Sequence, residues 1–309
     1  MKTYTDISEF TDVANPIVTT GTFDGVHLGH QKIVARLREI AGKEKGETVL
    51  LTFYPHPRMV LFPEDNQLKL LTTQQEKIRL LEKYGIDRLI IYPFTQQFSR
   101  LSSVEFVRNI LINQLKTHSL VIGYNHLFGR NREGSFKHLK EYAPIYGFKV
   151  EEIPAVDVDN VEISSTKIRE ALKKGDVKTA SEYLGYNYSL EGTVVKGKQI
   201  GRTLGYPTAN IEVQDKYKLI PADGIYAVTV DIDKGNYKGM LSIGMNPTVN
   251  GKNRTIEVNI FDFNRDIYGQ NIQINFIEKI REEEKFTSLE DLKNRLLVDK
   301  QESLKILSK

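Results

Sequence analysis

The chain contains no cysteine. That removes disulfides, thiolate zinc sites and a cysteine nucleophile in one step. It has no run of about 18 apolar residues, the length a helix needs to cross a bilayer. Its first residues, "MKTYTDISEF", are polar and carry acids, where a secretory signal needs a basic start and an apolar middle. The expectation is a cytoplasmic protein with no membrane partner. A concentrated basic stripe is missing as well: 43 Lys and Arg are scattered among 40 Asp and Glu, for a net charge of +3. That mild excess suits an anionic small molecule, whereas a dedicated nucleic-acid binder gathers its cations, so no nucleic-acid partner is expected. The Walker A pattern G-x-x-x-x-G-K-[ST], the zinc pattern H-E-x-x-H and internal repeats are all absent.

What is present falls into two halves. At 309 residues the chain exceeds one ordinary core and suits two domains. The first half alternates strand-like and helix-like stretches. "NPIVTTGTFD", "TVLLTFYPHP", "DRLIIYPF", "HSLVIGYN" and "FKVEEIPAV" read as strands. "HLGHQKIVARLREIAGKEKG" has Ile33, Val34, Leu37 and Ile40 on one helical face, and "TTQQEKIRLLEKYG", "SSVEFVRNILINQL" and "LKEYAPIYG" also read as helices. Such alternation predicts a parallel α/β sheet covered by helices, with ligands at the carboxyl ends of its strands. "SSTKIREALKKG" and "DVKTASEYLG" predict two short helices. After Tyr186 five strands follow at short intervals, the signature of an antiparallel β-barrel. A terminal helix begins at an N-cap Ser288, with Leu289, Leu292 and Leu296 spaced to pack on the barrel. The expected domains are 1–185 and 186–309.

"GTFDGVHLGH", residues 21–30, opens the first predicted helix. His27 and His30, three apart, share a face. Gly29 leaves room for a ligand near the backbone, and the helix N-terminus supplies N–H groups for an anion. Asp24 either caps the helix, the preferred reading, or helps hold Mg²⁺. Read alone, the H-x-x-H pair reads first as a capped helix with two solvated imidazoles, and only second as a phosphate cradle. Ser164, Ser165 and Thr166 open another helix, with Lys167 and Arg169 adding charge. In the second half, "GKQIGRTLGYPTAN" offers Gly197, Lys198, Gly201, Arg202 and Gly205 as a phosphate-wrapping loop. Thr208 and Asn210 follow as hard oxygen donors. In "TIEVNIF", alternation puts Ile256, Val258 and Ile260 on one face and Thr255, Glu257 and Asn259 on the other. Glu257 is thereby available as a base, or is simply a solvated strand carboxylate.

These stretches carry a resemblance. "GTFDGVHLGHQ", "TFYPHP" and "ISSTKIR" resemble the blocks of bacterial FAD synthetases of the Rossmann-like nucleotidyltransferase superfamily. "GRTLGYPTAN", "IEVNIFDF" and "REEEKFTSLEDLKNRL" resemble riboflavin kinase. Both occur in the order of the bifunctional bacterial family. The resemblance implies two ATP-dependent reactions: riboflavin to FMN with release of ADP, then FMN to FAD with release of pyrophosphate, both with Mg²⁺. It implies ATP contacts from Gly21, Phe23, Asp24, His27, Gly29, His30, Ser164, Ser165, Thr166 and Arg169 in the first half. There, flavin contacts come from Pro55, His56, Asn125 and Phe128. In the second half it implies Mg²⁺ and ATP at Thr208 and Asn210, Glu257 as general base and Arg281 near the flavin. One block departs: His126 stands where the family has an aromatic residue, which raises the alternative that only the kinase half works. A class I aminoacyl-tRNA synthetase also carries H-x-G-H but needs a K-M-S-K-S loop, absent here. A non-catalytic flavin or nucleotide sensor would have lost His27, His30, Thr208, Asn210 or Glu257, and all are present. Oligomeric state is left open.

Overall fold

The computed structural model describes residues 1–64, 67–124, 126–155, 157–158, 161–197, 201, 205–248 and 251–308. They form two compact units, Met1–Ser165 and Thr166–Lys309.

The first unit is built on a six-stranded parallel sheet: β1 (Lys2–Tyr4), β2 (Ile17–Thr20), β3 (Thr48–Tyr54), β4 (Arg88–Pro93), β5 (Ser119–Gly123) and β6 (Lys149–Ile153), in the order β1-β4-β3-β2-β5-β6. Five of these strands match the sequence reading. The sixth, β1, is three residues of mixed polarity, with no pattern to announce it. The chain runs from β2 outward through β3 and β4, then crosses to β5 on the other side of β2. The topological switch point therefore lies between β2 and β5, where such sheets open a crevice.

Helices cover both faces. α1 (Leu28–Glu44) buries Ile33, Val34, Leu37, Ile40 and Ala41, the stripe its periodicity predicts. Together with α3 (Gln74–Tyr84) it packs over Ile17, Leu50, Leu89 and Val121. α3 starts at a capping box between Thr73 and Glu76 and stops at Gly85, φ 88°. On the opposite face, α5 (Phe136–Tyr146) and a segment over 103–114 pack against Val18, Val49, Leu51 and Leu120. That segment is α-helical only over Ser103–Glu105 (α4) and continues as a π-helix, Phe106–Gln114. α2 (Pro57–Leu61) is short and buries nothing. β7 (Asp157–Val158) and β8 (Val161–Glu162) form a two-stranded ribbon.

α6 (Ser165–Lys173) starts at the last residue of the first unit, and α7 (Val177–Leu184) follows in the second, capped by Asp176 and ended by Gly185 in the left-handed region. A closed barrel follows: β9 (Ser189–Val195), β10 (Ala209–Glu212), β11 (Gly224–Ile232), β12 (Gly235–Thr248), β13 (Gly251–Ile260) and β14 (Asn271–Arg281), in the order β10-β13-β12-β11-β14-β9. Five strands were legible in the sequence. β10, only four residues inside the expected loop, was not. Leu190, Val228, Leu241, Val258, Ile274 and Phe276 are all completely buried in the barrel.

The terminal helix α8 (Leu289–Ile306) is capped as expected, Ser288 Oγ accepting from the Asp291 N–H at 3.1 Å. Its expected packing face needs correction. Leu289 is 64% exposed, and the residues it buries fully are Asp299 and Ser303. The reason is electrostatic: Arg281 on β14 donates to both oxygens of Asp299, at 2.8 and 2.7 Å, and Arg295 approaches the same carboxylate at 3.2 Å. Asp299→Ala strands the buried Arg281 guanidinium, and it is expected to destabilise the barrel by about 3–5 kcal/mol. The measurement is urea unfolding of the intact chain, followed by circular dichroism.

Candidate active sites

The carboxyl end of β2 leads directly into the histidine pair. Phe23, Gly25 and Val26 have φ of 48°, 81° and 37°, which fold 22–26 into a tight turn before α1. His27 occupies the N-cap position of α1, and its carbonyl accepts from the Gln31 N–H at 2.9 Å. Its imidazole lies on that of His30, ring centroids 3.7 Å apart and 19° from parallel. Phe23 stacks on the other side of His30 at 4.4 Å. The rings therefore form the ordered pile Phe23–His30–His27. Two of the motif's three glycines make room for it. A Cβ on Gly21 would sit 3.2 Å from the Phe23 ring, and one on Gly29 would sit 3.1 Å from the His27 ring. At Gly29, where a ligand was expected, the space in the Cβ direction belongs to His27.

Asp24 does not cap α1. Its carboxylate accepts from the Leu71 and Thr72 N–H groups at 3.0–3.1 Å and from Thr72 Oγ1 at 3.2 Å. The preferred reading of Asp24 is thus corrected: it is buried and spent on the loop before α3, because the turn points it away from the helix end. α1 has no acidic residue in its first turn, so nothing on the helix competes with an anion for its N–H groups. Burial, then the neighbouring His27 and Lys77, pushes His30 well below the ordinary imidazole range. It is neutral at pH 7, and its Nδ1 is buried with no hydrogen-bond partner among the described residues. Ser165, the last residue of the first unit, donates through Oγ to the Asp24 carbonyl at 2.9 Å. Ser164 precedes it half-buried, and Thr166 and Arg169 follow in the helix.

At the neighbouring strand end, across the switch point, His126 Nε2 lies 3.1 Å from Thr20 Oγ1, and its ring stacks on Phe128 at 6.2 Å and 22°. Burial, with Arg132 adding to it, brings this imidazole down to about 4. The histidine thus sits neutral and planar at the crevice. Phe128 itself is 8% exposed, packed on Phe106 and bridged to Gly134. It builds the wall and shows little surface. Pro55 and His56 follow β3, where His56 Nδ1 accepts from the Arg58 N–H at 3.2 Å and caps α2. Tyr54, Phe62 and Tyr124 remain more than half exposed at this edge of the sheet. Asn125 lies outside the described residues.

The barrel gathers a second set. Asn210 on β10 is in register with Glu257 on β13, and Thr208 Oγ1 donates to Glu257 Oε2 at 3.1 Å. Alternation holds on β13: Ile256, Val258 and Ile260 are buried inward and Glu257 faces outward, half-buried. Asn259 departs from the expected solvated face. It is buried, and its amide donates to the Pro207 carbonyl at 2.7 Å, fixing the P-T-A-N segment. Gly197 covers this group at a distance only glycine allows, since a Cβ would fall 2.0 Å from Asn210 Nδ2. Gly201 likewise abuts the Tyr206 carbonyl, and Gly205 has φ 85°. Lys198 and Arg202 lie outside the described residues. Beside Thr208 opens a cavity of about 520 Å³, lined among others by Ala209, Val258, Phe263 and Tyr268. Arg281 is committed to Asp299 in the ion pair described above.

No group of three or more His, Asp or Glu able to hold a metal occurs among the described residues. The donor set at Thr208, Asn210 and Glu257 is all oxygen, which fits Mg²⁺ shared with substrate phosphates and not a soft transition metal. Sequence reasoning missed Lys77, a 7% exposed lysine beneath the histidine pile whose ammonium burial brings down to about 8, Asp24 opposing the shift. On α3 it reads as one more solvated cation. Its placement between the apolar Ile78 and the half-polar start of the helix gave no signal.

Known proteins resemble both segments of the chain. The FAD synthetase family matches residues 10–167 and the riboflavin kinase family residues 184–307. The bifunctional riboflavin kinase/FMN adenylyltransferase of Listeria monocytogenes is 39% identical over 97% of this chain and 95% of its own length. That of Bacillus subtilis is 36% identical over 96% and 93%. A crystal structure of a macrolide-efflux protein from Streptococcus pneumoniae has a TM-score of 0.89 at 34% identity, covering 97% of each chain. In this chain no helix among the described residues is long and apolar enough to cross a membrane. The order of the two segments and relatives aligned almost end to end agree: the chain belongs to the family of bifunctional riboflavin kinases/FMN adenylyltransferases.

Proposed function

We propose that the histidine pile on α1 performs the adenylyl transfer and that the Thr208–Asn210–Glu257 group performs the phosphoryl transfer, with the activities divided between residues 1–185 and 186–309. The chain phosphorylates riboflavin to FMN and adenylylates FMN to FAD, with ATP used in both reactions. One observation carries the assignment of residues: the side chains the two chemistries need fall into two separate constellations, each within its own segment.

In the kinase reaction Glu257 accepts the proton of the ribityl 5′-hydroxyl as that oxygen attacks the γ-phosphorus, and ADP leaves. Thr208 holds the Glu257 carboxylate from one side, and Asn210 stands beside it in register. The cavity next to Thr208 is within the usual size of a small-molecule site and suits ATP. Thr208 and Asn210 would hold Mg²⁺, which when bound offsets phosphate charge in the transition state.

In the adenylyltransferase reaction a phosphate oxygen of FMN attacks the α-phosphorus of ATP, the α–β bridge breaks and pyrophosphate leaves, with no covalent enzyme intermediate. Two anions must be brought together, so the protein's work is alignment and charge stabilisation. His27 and His30 donate imidazole N–H groups to the triphosphate. Ser164 and Ser165, in the same unit, offer main-chain N–H groups. Tyr54, His56 and the His126 crevice offer planar surface to the isoalloxazine ring. ATP dependence of both steps supports a cytoplasmic site of action.

The test is separation of flavins after incubating the chain with ATP and either riboflavin or FMN. With Mg²⁺, riboflavin is expected to give FMN and then FAD, and FMN to give FAD. Excess EDTA is expected to abolish both conversions, and turnover that survives EDTA would remove Mg²⁺ from the reading.

A further inference from the structure

Beneath the histidine pile lies a charged group that neither reaction step uses. The Lys77 ammonium donates to the Thr22 carbonyl and to Thr52 Oγ1, each at 3.2 Å, and Thr52 Oγ1 donates to the same carbonyl at 3.2 Å. Thr22 immediately precedes the turn in which Phe23 and Val26, both bearing a Cβ, have positive φ. Residues held in that region persist only where their surroundings over-determine them. Within the turn, Asp24 is gripped by Leu71 and Thr72, the Gly25 N–H donates to Thr72 Oγ1 at 3.2 Å, and Ser165 Oγ donates to the Asp24 carbonyl at 2.9 Å. The Thr22 carbonyl belongs to the peptide plane that ends at the Phe23 nitrogen. Fixing it sets where Phe23 begins, and hence where its ring meets His30 at 4.4 Å. A lysine is almost never this deeply buried unless it is paired.

We propose that Lys77 is a positioning residue for adenylyl transfer: its buried ammonium locks the Thr22 carbonyl, holds the strained turn and so keeps Phe23, His30 and His27 stacked in order. The proposal rests on the reading of His27 and His30 as ATP donors. Thr52 completes the lock from β3, so two elements of the sheet unit, α3 and β3, fix the motif that β2 delivers. A misplacement of about 1 Å costs as much as 10²-fold in rate, which is the scale on which such a lock acts.

Lys77→Met keeps the stem and removes the ammonium. Thr52→Val keeps the shape and removes the bridging hydroxyl. Both are assayed in the full chain, with riboflavin phosphorylation as the internal measure of a folded protein. Histidine-selective labelling reads the ring current of Phe23 on His30, the signal being assigned by its loss in His30→Gln. For Lys77→Met the expected result is a fall of about 10–100-fold in kcat for FAD formation, with a smaller change in KM for ATP. The kinase rate stays unchanged, and the His30 resonance moves toward an unstacked position. Thr52→Val shows the same changes in smaller measure, and it decides the matter alone if Lys77→Met does not fold. An unchanged kcat, or a lost rate with the His30 resonance unmoved, overturns the proposal. Retention of FAD formation by His30→Ala would instead sink the reading of the site, while the ring-current shift would still report on the lock.

Discussion

His30→Ala is expected to lower FMN adenylylation by about 10²–10³ while riboflavin phosphorylation continues at its normal rate. The size follows from the environment. His30 is a neutral imidazole whose buried Nδ1 has no hydrogen-bond partner among the described residues, clamped between two rings at the start of a helix with no first-turn acid. A donor held there needs no reorganisation when negative charge builds on the triphosphate, whereas water or a mobile side chain would. Alanine removes the donor and leaves Phe23 and His27 without the ring between them, so FMN supplied with ATP should accumulate unconverted. His30→Gln restores an N–H without the stack and is expected to recover part of the rate. The readout is FAD formed from FMN, beside FMN formed from riboflavin in the same preparation. FAD formation at the wild-type rate would remove His30 from the chemistry.

The reciprocal variant, Glu257→Gln, is expected to lower riboflavin phosphorylation by about 10²–10⁴, the range for loss of a positioned general base, and to leave FAD formation from supplied FMN intact. The substitution is nearly isosteric and keeps an oxygen for the Thr208 hydroxyl, which donates to Glu257 at 3.1 Å. The β10–β13 register at Asn210 and Glu257 is a backbone property and should survive. What disappears is the carboxylate proposed to take the ribityl proton. Riboflavin therefore stays unphosphorylated, and adding FMN bypasses the block. Loss of both activities from a folded protein in either variant would contradict the division of roles between the two segments.

Much of the scaffold beneath these predictions was legible before any coordinates. Ile33, Val34, Leu37 and Ile40 recur at helical spacing and are buried together in α1, because burial against a sheet selects one face of a helix. The alternation of Ile256, Val258 and Ile260 placed Glu257 outside the barrel core in the same way. Elements too short to carry a period were not legible: β1 has three residues and β10 four, and each owes its existence to the neighbour it pairs with. Leu289 was expected to pack and is exposed. The helix register is set instead by Asp299, whose partner lies 18 positions away on β14.

By itself, the sequence determined the two-part organisation, the parallel sheet and the barrel, since all of these are written in local spacing; the residue types proposed for each reaction came from the resemblance. Only the tertiary structure decided which polar groups are spent on the fold. Asp24 on the 71–72 loop, Asn259 on Pro207, Arg281 on Asp299 and Lys77 on Thr22 each find a partner far along the chain. A buried charge or amide is tolerated only when it is paired. Pairing depends on which segments the fold brings within hydrogen-bond distance, and no local pattern records that.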